Sequence, residues 1–427
     1  MLRADWDRLQ YYSRKVKVFS SDTSINAAIH PSTYVRIAQL LQSFPLFPSL
    51  RSFEYDLDYE DNTHFSLFLS PLLDSLSLNN IRGFENSVVG PFLATLSSCP
   101  QMLSHIALDT GEISADILKK SFVHFKQLRS LELSDAIFMS DFSLWEVLGT
   151  LPSLENLTLE ASDPASHPAH APENSNSRSE GLRYFDALES LCVQGSFFLV
   201  QHLLGFIDSP CLKSIEVSPV INRVQNEQVE PEDLFTHVMT IIASKWSQSL
   251  NSLDITGNSM RCIHPISKCL SLLGDLNLQS FHLWNLKMGN MDDDMRRLVM
   301  SWPKLRSLKL PHRVDQFISL STLGIIAENC PELRHLRIRL DTSTIPPFDT
   351  SRKSPRHKLE VLTVGEAHPS TTNTQTSLEC QIQVTRHLDS NFPYLKSIEL
   401  QPWRKDEIWS GIRDLVRLCQ EARRVVN

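Results

Sequence analysis

Residues 128–160, LRSLELSDAIFMSDFSLWEVLGTLPSLENLTLE, contain the pattern that decides the fold. An apolar residue is followed at +3 and +5 by two more, first from Leu128 and again from Leu154. On a β-strand, residues two apart point to the same face, so the +3 and +5 side chains enter a core and the residue between them faces away. Residues 142–151, between the two copies, have apolar residues at helical spacing. The stretch therefore predicts a strand, a helix and a second strand.

The same pattern occurs thirteen times along the chain. From Leu50 to Leu395, one copy takes about 29 residues, a period in the long range of leucine-rich repeats. The copies are Leu50/Phe53/Tyr55, Leu73/Leu76/Leu78, Leu103/Ile106/Leu108, Leu128/Leu131/Leu133, Leu154/Leu157/Leu159, Leu188/Leu191/Val193, Leu212/Ile215/Val217, Leu250/Leu253/Ile255, Leu278/Phe281/Leu283, Leu305/Leu308/Leu310, Leu333/Leu336/Ile338, Leu359/Leu362/Val364 and Leu395/Ile398/Leu400.

Segments with helical spacing lie between most of these copies. Because a helix is wider than a strand, stacked units of this kind bend. The predicted fold is thus α/β, a leucine-rich-repeat solenoid of the ribonuclease-inhibitor-like horseshoe type, with parallel strands on the concave face and helices on the convex face. The predicted helices span residues 33–44, 88–98, 142–151, 197–207, 234–246, 293–302, 320–329 and 381–390.

The repeats divide the chain into three predicted parts. Residues 1–31 form an N-terminal linker, in which residues 15–19 are a candidate edge strand, and residues 32–402 form the array of about 13 repeats. Residues 403–427 form a capping helix, predicted from the apolar spacing of Ile408, Ile412, Leu415, Cys419 and Ala422. Loop insertions rich in Pro, Ser, Asn and charge are predicted near residues 160–181, 219–233, 341–357 and 366–379.

Composition narrows the possible partners. A formal charge of −8 and a pI of about 6.0 provide no basic field for nucleic acid. No signal peptide or membrane-spanning run is found, so neither secretion nor a membrane is expected. The eight cysteines are dispersed without a C-x-x-C pair, which indicates reduced thiols in a cytoplasmic or nuclear protein.

Motifs for enzymatic chemistry are missing. The sequence contains no G-x-x-x-x-G-K-[ST], H-E-x-x-H, G-x-S-x-G or G-x-G-x-x-G. Prolines prevent a helix that would place His167 and His170 on one face to bind a metal. The spacing of Cys262, His264 and Cys269 favours packing of the thiols in the core over metal coordination. Cys99 and Cys330 each precede proline at a helix end, as structural thiols do. The sequence therefore predicts no enzyme, no cofactor and no metal site.

The strand positions that face away from the core carry a pattern of charge. In the first eight repeats they hold acids and no Lys or Arg, whereas the next three repeats reverse the sign. We expect a protein partner with an acidic or phosphorylated segment at the second group, because aromatic residues beside cations are typical of interface hot spots. The alternative is that exposed strand positions are simply polar. The acids are Glu54, Asp56, Asp109, Glu132, Glu160, Glu216 and Asp254, and the candidate partner site is His282, Trp284, Lys309, Arg337 and Arg339.

Two segments resemble a known family. Residues 5–16 (DWDRLQYYSRKV) resemble the segment that links the F-box to the first repeat in fungal F-box proteins with divergent leucine-rich repeats. Residues 329–336 (NCPELRHL), echoed at residues 98–100, are similar to the cysteine-containing repeats of F-box proteins generally. The resemblance implies the substrate-recognition part of an SCF-type E3 ubiquitin ligase.

This sequence departs from the family pattern in one respect, because no F-box is found in it. A Skp-type adaptor is therefore expected to bind only where an upstream F-box exists. The alternative function is a free-standing leucine-rich-repeat binding or regulatory protein with no ubiquitin-ligase role.

Overall fold

The computed structural model forms two compact units, Met1–Leu212 and Lys213–Asn427. Each unit is a stack of leucine-rich repeats with parallel strands. Across both units the structure describes residues 3–20, 31–41, 44–56, 65–81, 89–98, 102–110, 113–134, 142–161, 184–220, 231–257, 269–286, 288–310, 317–347, 357–365, 378–400 and 407–426.

The first unit contains a parallel sheet whose strands follow one another in chain order. Each strand pairs with the strand of the next repeat, and the +3 residues are aligned, as Leu131 is with Leu157. The candidate edge strand at residues 15–19 is shifted, because the strand in the structure spans residues 18–20, where it pairs with the first motif strand. The strands are β1 (Val18–Ser20), β2 (Ser52–Asp56), β3 (Ser75–Asn79), β4 (His105–Asp109), β5 (Ser130–Ser134), β6 (Asn156–Glu160) and β7 (Ser190–Ser196).

The second unit repeats this arrangement. Its main parallel sheet has the order β8-β9-β10-β11-β13-β15-β16, and β12 and β14 form a separate two-stranded sheet. All thirteen motif copies are confirmed as strands across the two units. The strands of the second unit are β8 (Ser214–Val220), β9 (Ser252–Thr256), β10 (Ser280–Trp284), β11 (Ser307–Lys309), β12 (Ile318–Ser319), β13 (His335–Ile338), β14 (Leu340–Asp341), β15 (Val361–Val364) and β16 (Ser397–Leu400).

Most helices lie between two strands of the sequence, and several successive helices within each unit pack side by side. The first unit contains α1 (Arg3–Ser13), α2 (Pro31–Leu41), α3 (Gly90–Ser98), α4 (Ala115–Phe122), α5 (Phe142–Gly149) and α6 (Phe197–Phe206). The second unit contains α7 (Pro231–Trp246), α8 (Leu270–Gly274), α9 (Met291–Ser301), α10 (Leu320–Asn329), α11 (Leu378–Asn391) and α12 (Glu407–Val426).

Three of these helices, α1, α4 and α8, were not predicted from the sequence, and α1 lies where a linker is expected. Helix α4 begins after Ser114, whose hydroxyl accepts a hydrogen bond from the backbone N–H of Asp116. At 8 and 5 residues, α4 and α8 are too short for a 3.6-residue period to emerge. The prediction for residues 320–329 is confirmed at both ends, and the other predicted helices shift by a few residues.

The core consists of the motif side chains. Every first leucine of the thirteen copies is buried, and so are the +3 residues, with Leu308 and Leu336 at 0% and 1% exposure. At +5, only Tyr55 and Leu400, in the first and last copies, are partly exposed. Apolar burial of this kind is the main stabilising contribution to folding, at roughly 25 cal/mol per Å².

Backbone hydrogen bonds lock the start of each strand. The N–H groups of Arg129 and Ser130 both donate to the carbonyl of Ser104, at 2.8 and 2.9 Å, and the pattern recurs in other repeats. Because parallel strands need these bonds from both neighbours, each repeat is held by the repeat before it and the repeat after it.

The predicted loop insertions are narrower than the sequence suggests. Strand β8 continues to Val220 and α7 begins at Pro231, so most of the insertion near 219–233 lies between them, outside the described residues. Strand β14 occupies the start of the segment near 341–357, and α11 begins at Leu378 within the segment near 366–379. Residues 162–183, which include most of the insertion near 160–181, lie outside the described residues.

The capping helix exists, but its predicted buried stripe is only partly correct: Ile412 is buried, and Ile408 and Leu415 are half-buried. Cys419 and Ala422 are exposed, and the buried side chains are Trp409, Ile412 and Val416. The same stripe continues with polar residues, because the Gln420 amide and the Arg423 guanidinium donate to the carbonyls of Leu395 and Pro393. A search for apolar spacing follows the wrong face where the contacts become polar.

His357 is a polar residue inside the core of the second unit. It is 0% exposed, its ring contacts Phe392 edge to face at 4.8 Å, and its Nδ1 accepts a hydrogen bond from the N–H of Leu359 at 3.0 Å. Burial lowers the pKa of the imidazole from 6.5 to about 4, and the backbone of Cys330 partly offsets this shift. The folded protein therefore holds His357 in the neutral form.

We predict that Leu308→Ala lowers the free energy of unfolding locally by about 2–5 kcal/mol, through lost transfer energy and a cavity. Because each repeat contacts mainly its neighbours, limited proteolysis should first cut around residues 280–340. Met300→Ala, at a side chain with 66% exposure, is the control and should leave the cleavage pattern unchanged. Uniform destabilisation of the whole chain by Leu308→Ala would contradict the solenoid.

We predict a pH dependence of stability that arises from His357. Above about pH 6.5 both states hold this imidazole neutral, but between pH 6.5 and 4 only the unfolded chain takes up the proton. The free energy of unfolding should fall across this range, by at most about 3 kcal/mol for this group. Urea unfolding of the wild type and of His357→Asn, which keeps an acceptor for Leu359, should show a smaller slope for the variant. Equal slopes would contradict the assignment.

Candidate functional site

The candidate site lies on the face of the second unit's sheet that points away from the buried core. One residue from each main strand, between the +3 and +5 positions, is aligned with the next across the sheet. Neighbouring strands lie about 4.8 Å apart, so these side chains form one continuous line. We call this line the open-face row: Glu216, Asp254, His282, Lys309, Arg337, Thr363 and Glu399.

Two cations at the centre of the row, Lys309 and Arg337, are aligned neighbours on β11 and β13. We call this pair the basic window. Within the part of the chain that the structure describes, neither side chain forms an ion pair. Other cations of the second unit do pair with carboxylates: Lys358 with Glu332, Lys396 with Glu360, Arg417 with Glu421 and Arg423 with Asp389. The basic window therefore presents positive charge that no described residue neutralises.

An aromatic ring supports one side of the basic window. The guanidinium carbon of Arg337 lies 4.6 Å from the centre of the Trp284 ring, a cation–π distance. Both side chains are half-buried. The Nε of Arg337 is buried and has no hydrogen-bond partner among the residues that the structure describes, and burial lowers the pKa of this guanidinium. Stacking holds the guanidinium in place, so an incoming anion meets a partly desolvated cation.

His282, two residues before Trp284 on β10, is held in a chain of hydrogen bonds. Its Nδ1 lies 3.0 Å from Oδ2 of Asp254, and its Nε2 lies 3.0 Å from the hydroxyl of Ser307 and 3.1 Å from that of Ser280. A carboxylate only accepts, so Nδ1 carries the proton. His282 is thus less available to a partner than the sequence analysis expects, and it orients two hydroxyls beside Lys309.

Asp254, His282 and Ser307 are linked by hydrogen bonds in the same order as the acid, histidine and serine of the catalytic triad in serine hydrolases. Such a triad also needs donors for an oxyanion, commonly the nucleophile's own backbone N–H. The N–H of Ser307 is already donated to the carbonyl of Gln279 at 3.0 Å. This N–H is therefore not available as an oxyanion donor in this arrangement.

Arg339 is misplaced by the sequence analysis. It is expected on the open face, but the structure leaves it only 2% exposed. After β13 the chain enters β14, which pairs with β12, and the Arg339 guanidinium lies 4.5 Å from the ring centre of Phe317. The small second sheet covers this position, so Arg339 cannot contact a partner.

The acids of the first unit are partly engaged within the fold. Asn80 donates to Asp56 from its amide at 2.5 Å and to Asp109 from its backbone at 3.1 Å. The Gln194 amide donates to Glu160 at 3.1 Å. Glu132 is exposed, and the described open-face positions of this unit hold no Lys or Arg.

The other residues considered for chemistry remain structural where they are described. Cys330 is buried, and burial raises the pKa of its thiol to about 12. Cys269 is buried, with its sulfur 3.4 Å from the Thr236 hydroxyl. His167, His170, Cys99, Cys262 and His264 lie outside the described residues. No cluster of metal-ligating side chains occurs within the described ranges.

Ser280, Ser307 and Thr363 also lie on the open face, although none of them was a predicted site residue. The signal was present, because positions +2 and +4 lie on the same side of a strand and serine recurs at +2 in most repeats. It could not show which hydroxyls approach His282, since that depends on side-chain geometry across three strands.

Comparisons with known proteins do not assign a family. No family model matches the chain, and no curated protein matches it. Among solved structures, the leucine-rich-repeat protein LegL7 from Legionella pneumophila has 17% identity, a TM-score of 0.40, and coverage of 85% of this chain and 97% of its own. The Rad7 and Elc1 complex of yeast has 15% identity, a TM-score of 0.39, and coverage of 85% and 90%. No helix in the described ranges is long and apolar enough to span a membrane.

We predict measurable coupling between Trp284 and Arg337. In a double-mutant cycle with Trp284→Leu and Arg337→Met, urea unfolding should give a coupling free energy of about 0.5–1 kcal/mol, as expected for a half-buried cation–π pair. The matched control is the cycle of Trp284→Leu with Lys309→Met. The stacking assignment fails if both cycles give the same coupling.

Proposed function

We propose that this chain is a protein-interaction scaffold whose second unit binds an acidic or phosphorylated segment of a partner protein. One observation carries the proposal: the basic window holds two cations without carboxylate partners among the described residues, beside the half-buried ring of Trp284. Aromatic and arginine side chains together are typical of interface hot spots, and Arg binds carboxylate or phosphate through paired donors. Nucleic acid and membranes are not proposed as partners.

The first unit disfavours the same segment. Its described open-face strand positions carry acids and no Lys or Arg, so an anionic segment would meet like charge there. Opposite charge also steers encounter and speeds association. We therefore place the partner site at Lys309, Arg337 and Trp284, with His282 in a supporting position.

We also propose that the chain is not an enzyme and needs no cofactor. The support is the missing catalytic motifs in the sequence and the use of the Ser307 N–H in the sheet. Its proposed location is cytoplasmic or nuclear, on the grounds of dispersed cysteines.

The finer proposal is that the scaffold is the substrate-recognition part of an SCF-type E3 ubiquitin ligase F-box protein. It rests on the resemblance of residues 5–16 and 329–336 to the fungal F-box family. A free-standing regulatory repeat protein is the alternative, and it requires only the repeats and the basic window.

Charge reversal tests the site. Lys309→Glu with Arg337→Glu should remove a partner from affinity capture, as quantified by mass spectrometry, and the purified partner should bind the wild type at least tenfold more tightly than the variant. Arg297→Glu with Lys304→Glu is the matched control, because both cations are exposed in adjoining segments and the charge change is identical. If the captured proteins are unchanged by the first pair but lost with Glu132→Lys and Glu160→Lys, the site lies on the acidic face instead.

The same capture reads out the ligase role. Residues 1–427 alone are not expected to bind a Skp-type adaptor, because the family uses the F-box for that contact. A product of a longer reading frame that joins an F-box to Met1 should bind it. If no such product binds the adaptor, the free-standing scaffold is the better description.

A further inference from the structure

We infer that the open-face row selects a segment with a single phosphorylated serine or threonine and without acidic residues three or four positions away. This inference deepens the proposed function and rests on it. It follows from the order of charges along the row, because the basic window is bounded by carboxylates on both sides.

The charge order is symmetric about the window. On one side of the window, Asp254 lies two strands away from Lys309. On the other side, Glu399 lies two strands away from Arg337. At about 4.8 Å per strand, each carboxylate is about 12 Å from the centre of the window. Glu216 extends the acidic side by one further strand. An anion fits between these carboxylates, but a run of anions along the row does not.

Charge matching favours phosphate over one carboxylate. Lys309 and Arg337 together carry two positive charges, and a phosphoryl group carries about −1.5 to −2 at pH 7. Its three oxygens accept hydrogen bonds from several directions, which suits the Arg337 donors and the Lys309 ammonium. A lone carboxylate would neutralise one cation and leave the other uncompensated.

The distance to the bounding carboxylates predicts a sequence preference. An extended peptide rises about 3.3 Å per residue, so a segment lying across the strands reaches Asp254 and Glu399 three or four residues from the phosphorylated one. Acids at these positions would be repelled by the two carboxylates, and Lys or Arg would be attracted to them. Glu399 is exposed, and among the described residues its Oε2 accepts only a long 3.4 Å hydrogen bond from Thr363.

Four fluorescent peptides of equal length test this inference by anisotropy with the full chain. The first peptide carries phosphoserine at its centre and Lys at −4, −3, +3 and +4, and the second is the same peptide without the phosphate. The third carries phosphoserine at its centre and Glu at −4, −3, +3 and +4. The fourth carries Glu at the centre and at the same four flanking positions. We expect the first to bind at least tenfold more tightly than each of the others. Equal binding of the first and third peptides, lost in Arg337→Glu, would overturn the inference but keep the proposed function.

Removing the bounding charges provides an independent arm. Asp254→Asn with Glu399→Gln should tighten binding of the third peptide severalfold and weaken binding of the first, and the asparagine can still accept from His282. Glu379→Gln, at an exposed acid on α11, is the control and should change neither affinity. Thermal unfolding checks that each variant folds. If no peptide binds the wild type, or if the Asp254 and Glu399 changes leave the preference intact, the inference is wrong, whereas the proposed function is judged by its own charge-reversal capture.

Discussion

The backbone hydrogen bonding of short parallel strands, one from each repeat, is the constraint on which the rest of the structure depends. A strand of three to seven residues has too few contacts to be stable alone, so it persists only because both neighbours satisfy its N–H and C=O groups. That pairing sets the +3 and +5 side chains over the helices, where they are buried. It also aligns the intervening residues across the sheet, and the open-face row is a direct result of this alignment.

Much of the fold follows from the sequence because its signal is repeated. Thirteen copies of one spacing make the strands predictable even where a single copy is weak, as with Leu50, Phe53 and Tyr55. Single elements are less predictable. The helix α8 has only five residues, and the stripe of α12 continues through Gln420 and Arg423, which no apolar period reveals. The predicted exposure of Arg339 was wrong because its burial depends on β12 and β14, which lie outside the repeat pattern.

The candidate site, like the fold, was predictable from the sequence only in part. The charges of Lys309 and Arg337 and their place on one face are readable from position within the repeat. The stacking of Arg337 on Trp284 and the bonds of His282 to Asp254, Ser280 and Ser307 are not, because they depend on rotamers of side chains from different strands. Polar residues on an open strand face have several possible partners, and the sequence does not rank them.

One residue from each repeat enters the open-face row, and about 28 residues of chain separate it from the next. These side chains do not build the core, so their identities can change with little cost to folding. The order of residues in the open-face row therefore follows the order of the repeats along the chain, with one residue from each repeat. Deleting or duplicating a whole repeat between β9 and β15 would preserve the packing of the motif side chains. It would also move every later residue of the open-face row by one strand relative to the residues before it. New recognition properties could thus arise in this protein by a change of copy number, without a single substitution at the surface.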